Sequence, residues 1–266
     1  MPPPPSYVEL RPRAVLAPYV RCFWSLRAHT LAPLPHRVLP DGCLDILVEL
    51  GAGGGGARPK VVGAMRCARV VPLMGAVDAL GIRFQPGGAH SFLRVPLHEL
   101  TDGQLALGEL WPRDAPEWEE RLLSAEGLAA RVAVLEELLL RRLAPEGLEP
   151  ALAQAVGLIL RTRGRLPVGT LEDTLGVGTR QLERRFQRTV GLSPKVLCRI
   201  SRMRHAAWLL QARPATPGAE LALAAGYYDQ AHLVREFRAL TGLTPGGYAR
   251  ERAQVGFVQD ALEDVP

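Results

Sequence analysis

The C-terminal third of the chain carries one short pattern twice. Phe186-Gln187-Arg188-Thr189-Val190-Gly191-Leu192-Ser193-Pro194 is answered by Phe237-Arg238-Ala239-Leu240-Thr241-Gly242-Leu243-Thr244-Pro245, so the frame F-x4-G-L-[ST]-P is written out in full two times. A helix-sized stretch, a glycine (Gly176, then Gly226) and a second amphipathic stretch precede each copy. A short helix, a turning glycine and a second helix free to enter a groove make a helix-turn-helix unit. Its repetition constrains the fold strongly, because each unit must bury one face of both helices against its neighbours.

A chain of 266 residues is long enough for two domains with separate cores. No apolar run reaches membrane-spanning length, and Met1-Pro2-Pro3-Pro4-Pro5 lacks the form of a signal peptide, so a cytoplasmic location and no membrane partner are expected. Cys22, Cys43, Cys67 and Cys198 are scattered without a C-x2-C pair, which argues for buried thiols and against disulfides or a structural metal. No residue set calls for a cofactor. The net charge of +5 is uneven: residues 161–252 carry +9, whereas residues 1–160 carry −1. A basic half beside a neutral half argues for a polyanion bound at one end, against the plainer alternative of Arg-rich solvated helix faces.

Residues 1–112 read as a small antiparallel β barrel or sandwich with flanking helices. Cys43–Leu50, Lys60–Ala64, Val70–Met74 and Ala79–Phe84 are short strand-like runs, and Pro40-Asp41-Gly42 is a turn signal. Gly51–Arg58, with five glycines, reads as a mobile hairpin loop, and Pro2–Pro5 as a frayed end. In 113–148 the period changes: Leu128, Val132, Leu135, Leu139 and Leu143 mark an amphipathic helix ending near Pro145, which either packs on its own domain or serves a homodimer. Residues 149–252 read as all-α, and 253–266 as a tail. There Pro150 opens a helix to about Arg161, Val168–Leu175 and Thr179–Thr189 form the first pair, and Ala219–Ala225 and Asp229–Leu240 the second. Between them Ser193-Pro194 sets an N-cap and a first-turn proline for a helix to about Gln211, roughly 28 Å long at 1.5 Å per residue. Such a strut separates two recognition helices by about the 34 Å of one DNA turn. The fold class is therefore α+β.

These residues closely resemble the AraC-type transcription regulators, over about residues 150–252. The run Leu221 to Phe237, with Gly226-Tyr227-Tyr228-Asp229 inside it, and Gly242-Leu243-Thr244-Pro245-Gly246-Gly247-Tyr248 carry the likeness best. The resemblance implies a DNA-binding domain of two helix-turn-helix units joined by a long helix. The N-terminal part is similar to a sensory domain that precedes such units, on Cys22-Phe23-Trp24, Leu39-Pro40-Asp41-Gly42-Cys43 and Gly81-Ile82-Arg83-Phe84-Gln85-Pro86-Gly87-Gly88. It names no ligand.

Carried over position by position, the resemblance implies DNA contacts from Arg180, Glu183, Arg184 and Arg188 of the first recognition helix, and from Gln230, Ala231, His232, Arg235 and Arg238 of the second. Their chemistry suits base edges: Arg pairs with guanine O6 and N7, Gln with adenine, and Glu accepts from cytosine N4. Leu182, Phe186, Leu233 and Phe237 fall on the core-facing side. The first unit departs from the family pattern at Glu172, where a small residue usually lets the helices cross, and at Gly178, where Ser or Thr usually caps the helix. A carboxylate at a crossing needs a partner or water, and Arg184 or Arg185 is the expected partner.

The function expected is a sequence-specific regulator of transcription, not an enzyme. Its partners are double-stranded DNA, a small-molecule effector at the N-terminal domain, and RNA polymerase where it activates. Two alternatives stay open. One is a DNA-repair alkyl transferase, whose chemistry needs a thiolate beside a multi-cysteine metal site. The other is control by a protein partner, in which case Trp24, Phe84 and Trp111 fill a solid core instead of lining an effector pocket.

Overall fold

The computed structural model describes residues 5–50 and 56–254. Most of the glycine-rich stretch 51–58, the chain start and most of the tail lie outside these residues. The N-terminal half is a six-stranded antiparallel sheet of β1 (Ser6–Leu10), β2 (Val20–Val38), β3 (Asp45–Leu50), β4 (Ala57–Val62), β5 (Arg69–Phe84) and β6 (Gln104–Ala106), in the order β1-β2-β5-β3-β4-β6. Among the described residues the sheet is open, with β1 and β6 at its edges.

Two runs read as separate strands, Val70–Met74 and Ala79–Phe84, are one continuous β5, paired along its length with β2. Sequence reading passes over β2 because Pro33 and Pro35 punctuate it. The strand accommodates them with a register shift between Thr30 and Leu34, which drops the residues around Pro33 out of the ladder, and Pro35 lies opposite Pro72.

Period-two alternation sends the strands' side chains to two faces. Phe23, Ile46, Val48, Leu80, Ile82 and Phe84 enter the larger core, closed by α1 (His90–Leu93), α2 (Leu107–Leu110), α3 (Ala115–Ser124) and α4 (Gly127–Arg142). Trp111 and Trp118 pack at a tilt inside it, their ring centroids 5.4 Å apart. The stripe predicted for 113–148 belongs here: Val132, Leu135 and Leu139 are buried in this core. Cys22, Trp24, Leu26 and Ala79 form a smaller cluster on the opposite face. Trp24 lies flat on Gly81, where a Cβ would fall 2.1 Å from the indole Cε2, so glycine is required by close approach.

The C-terminal half is helical: α5 (Pro150–Arg161), α6 (Val168–Leu175), α7 (Thr179–Val190), α8 (Pro194–Ala212), α9 (Gly218–Ala225), α10 (Gln230–Thr241) and α11 (Pro245–Gln254). The helix ends follow the sequence signals to within a residue or two. Ser193 Oγ accepts from the Val196 amide at 3.3 Å, with Pro194 in the first turn, as the N-cap reading requires. The helical core contains Leu182, Phe186, Leu233 and Phe237, and it also takes in Leu39 and Ala64 from the sheet half.

Candidate nucleic-acid interface

Each helix pair turns on a glycine. Gly176 ends α6 at φ 62° and Gly226 ends α9 at φ 84°, left-handed positions that a side chain would strain. The second helix of each pair then crosses the first. In α7 the residues Leu182, Phe186 and Val190 are buried, at the spacing of one helix face; in α10 the same holds for Leu233, Phe237, Leu240 and Thr241.

That burial fixes what faces outward. Arg180, Glu183, Arg184 and Arg188 are exposed on α7, and Gln230, Ala231, Arg235 and Arg238 on α10. Among the described residues no acceptor engages Arg180, Arg184, Arg235 or Arg238. His232 is half-buried: its amide donates to Asp229 Oδ1 at 2.6 Å and its ring meets Tyr227 edge-on at 5.3 Å. Gln230 folds back against Gly218 at the start of α9, since a Cβ on Gly218 would come within 2.6 Å of its Nε2. Arg188 lies beside His90 of the sheet half, and burial together with the Arg188 charge holds that imidazole below its ordinary pKa.

Much of the basic charge counted in the sequence is architectural. Arg199 grips Glu236 with two hydrogen bonds of 2.6 and 3.2 Å and so ties α8 to α10. Burial would raise the Glu236 carboxyl, but the Arg199 hydrogen bonds and charge hold it below its ordinary range. Arg202 donates to the Gly164 carbonyl at 2.7 Å, Arg163 meets His205 Nε2 at 2.7 Å, and Arg165 donates to the Ala224 carbonyl. Side chains whose partners lie on another element cannot be told from groove-facing ones by periodicity alone. The separation needs the tertiary packing.

Among the described residues Glu172 does not reach an arginine. Its Oε1 accepts from Thr179 Oγ1 at 2.7 Å, an exposed link from α6 to the first residue of α7, while Arg185 turns toward α5 and pairs with Glu149 at 3.0 Å. The N-cap of α7, Gly178, offers no side-chain acceptor, whereas Asp229 caps α10.

The three N-terminal motifs converge. Arg83, on the face shared with Trp24, sits 3.3 Å from Asp41 of the Pro40-Asp41-Gly42 turn, 3.4 Å from Asp45 and 3.7 Å from Glu9. Burial pushes the Asp45 carboxyl up to about 6 against the pull of Arg83. Asp41 is equally desolvated, yet Arg83, Arg204 and Arg21 hold it below its ordinary value. The thiols are of another kind: burial raises Cys22 to about 12 and lifts Cys43 and Cys198 too, so these three are protonated core groups, while Cys67 is exposed. No set of three or more His, Cys, Asp or Glu among the described residues is placed to hold a metal ion. No helix among the described residues is long and apolar enough to cross a membrane.

Residues 8–106 match a family described as a domain of unknown function, DUF6597, and residues 171–251 match a helix-turn-helix domain family. No curated protein matches the chain. Among solved structures, the C-terminal domain of AraT, a response regulator from Geobacillus stearothermophilus, is 24% identical with a TM-score of 0.36, over 44% of this chain and 94% of its own. ToxT from Vibrio cholerae is 10% identical with a TM-score of 0.41, over 86% of this chain and 97% of its own. The same protein bound to an unsaturated fatty acid gives 9% and 0.43, over 89% and 96%. At these TM-scores the overlays carry no argument of their own. The domain match and the two units sharing one long helix agree: residues 171–251 are a helix-turn-helix domain of the AraC type.

Proposed function

We propose that the protein reads two adjacent major-groove segments of double-stranded DNA, one with α7 and one with α10. The carrying observation is that each recognition helix exposes arginines that no other part of the described chain engages, on the side opposite its buried leucine and phenylalanine. The 19 residues of α8 span about 28 Å, which suits segments about one DNA turn, or roughly 34 Å, apart. On this reading Arg180, Glu183, Arg184, Gln230, Ala231, His232 and Arg235 address bases, whereas Arg188 and Arg238, nearer the helix ends, meet phosphate. Residues 149–252 form the DNA-binding domain and 1–112 the sensing domain, with 113–148 as the connector.

Effector control belongs to the same proposal. The sheet's inner face is filled, with Phe84 and Trp111 at most 2% exposed, so a ligand there would have to displace core. A cleft of about 220 Å³ lies instead where Ala17, Pro18 and Pro86 face Leu152 and Val156 of α5, and it is the place favoured for a small effector.

The test begins with genomic fragments retained by the purified protein, followed by competition with single-base variants of the selected site. Arg235→Ala should cost roughly 1–3 kcal/mol and relax preference at one base pair. Arg238→Ala should weaken binding on all sequences alike and lower the salt slope by about one unit. Retention of no particular sequence, or loss of base preference in Arg238→Ala but not in Arg235→Ala, would overturn this placement of the helices.

A further inference from the structure

Two loops of the sheet half are locked into one body. The segment 63–69 meets the segment 97–103 through Gly63 N–H to Gly103 O (3.0 Å), Asp102 N–H to Ala64 O (3.1 Å) and Arg66 N–H to Asp102 Oδ1 (2.8 Å), with an Arg66–Asp102 ion pair closing the junction. Asp102 holds a left-handed backbone at φ 56° to make this junction, and the segments touch so closely that a Cβ on Gly63 would overlap the Leu100 carbonyl.

This body touches both helix-turn-helix units at the same turn of their repeated frame, within two residues of its glycine. Thr101 Oγ1 donates to the Gly191 carbonyl at 2.6 Å, at the turn that ends α7. At the corresponding turn after α10, the Ala68 amide donates to the Leu240 carbonyl at 2.7 Å and Arg37 Nη1 to the Thr241 carbonyl at 2.9 Å. Arg37 pairs in register with Val70, just past the loop, and its remaining nitrogens hold Glu251 of α11 at 2.7 and 3.1 Å. All three acceptors are carbonyls at the C-terminal ends of the recognition helices, where intrahelical partners run out and the helix dipole favours a cation such as Arg37.

The geometry decides between two uses of such contacts. A surface that blocked DNA would cover the outward residues, yet Arg180, Arg184, Arg235 and Arg238 stay exposed, and the grip falls on the helix ends away from the N-terminal turns that lead into a groove. We propose that Thr101, Ala68 and Arg37 brace the two recognition helices at one separation, so that the sheet half, and not α8 alone, sets which spacing of the two DNA segments is accepted. This rests on the reading that both helices contact DNA.

The test uses the full chain, its selected site, and the same site with one or two base pairs inserted between the segments. Each insertion moves the second segment by about a tenth of a helical turn. The unaltered protein should lose roughly tenfold in affinity per inserted pair, about the effect of a mismatched base. Thr101→Val combined with Arg37→Gln should bind the original site roughly three- to tenfold more weakly, as expected for lost hydrogen bonds, and pay less than about threefold for an insertion. Thr101→Ser with Arg37 unchanged should keep the strict spacing. Hydrogen exchange without DNA should quicken at residues 190–192 and 240–243 in the first variant only. Should that variant fail to stay folded in thermal unfolding, Thr101→Val alone should quicken exchange at 190–192 and soften the insertion penalty in part. Spacing dependence like the unaltered protein's in Thr101→Val or the double variant, tighter binding by either, or an unaltered protein indifferent to insertions would overturn the brace while leaving DNA recognition standing. Absence of sequence-selective binding by the unaltered protein would remove the DNA reading itself, and the brace with it.

Discussion

At the residue scale, the motifs around Asp41 and Arg83 illustrate what spacing conveys and what it conceals. Their sequences mark turns and strand ends, but the burial of Arg83 among Asp41, Asp45 and Glu9 appears only when β3 and β5 pair and the 39–43 turn folds over them. The two aspartates share one arginine and divide the charge unequally. Asp41 keeps a depressed pKa, so its contribution is present above about pH 4 and is lost as the pH falls through its lower folded value. Asp45, raised to about 6, runs the other way: its contribution is full below about pH 4 and is lost as the pH rises through 6. Asp41→Asn should therefore cost on the order of 3 kcal/mol at neutral pH, the scale of a broken buried pair, and less in acid. Asp45→Asn should gain on the unaltered protein between about pH 4 and 6 and hold that gain above. Denaturant unfolding from pH 4 to 7 reads both, and identical pH profiles for the two variants would refute the division.

At the scale of elements, the two recognition helices are alike in burial pattern and unlike in their starts. Asp229 accepts the His232 amide at 2.6 Å, whereas Gly178 sits in extended backbone at φ −76° with open space where a Cβ would go. Asp229→Ala should cost about 1 kcal/mol, and Gly178→Ser should add a few tenths, because serine can supply the missing acceptor without strain. Chemical denaturation measures both changes, and a destabilising Gly178→Ser would show that the glycine is needed for another reason. The cap difference was legible in the sequence, as were the buried faces at Leu182–Phe186 and Leu233–Phe237, since local backbone geometry dictates them. The partner of Glu172 was not. Which arginine turns toward α5 and which toward solvent depends on how α7 lies on its neighbours.

For the whole molecule, the two halves share a core. Leu39, 4% exposed, belongs to the sheet half by sequence and to the helical cluster by packing, and Gly42 beside it faces Leu197 of α8. Leu39→Ala should therefore lower stability by about 2–4 kcal/mol and move the unfolding of both halves together. Tryptophan fluorescence, with Trp24, Trp111 and Trp118 in one half and Trp208 in the other, against helical circular dichroism checks this. A helical transition left in place while the sheet transition fell would mean that the halves unfold independently.

The sequence by itself determined the repeated helix pairs, their turning glycines, the long helix between them, the outward arginines and the strand-rich character of the first half. These follow from hydrophobic period, caps and backbone restrictions that act over a few residues. Only the tertiary structure decided that β2 runs through its prolines, that the leucine stripe of α4 closes the sheet's own core, and that loops 63–69 and 97–103 hold both repeats at matching turns. Those outcomes depend on contacts between residues far apart in the chain, which are fixed by the joint packing of several elements and leave no periodic trace in any one of them.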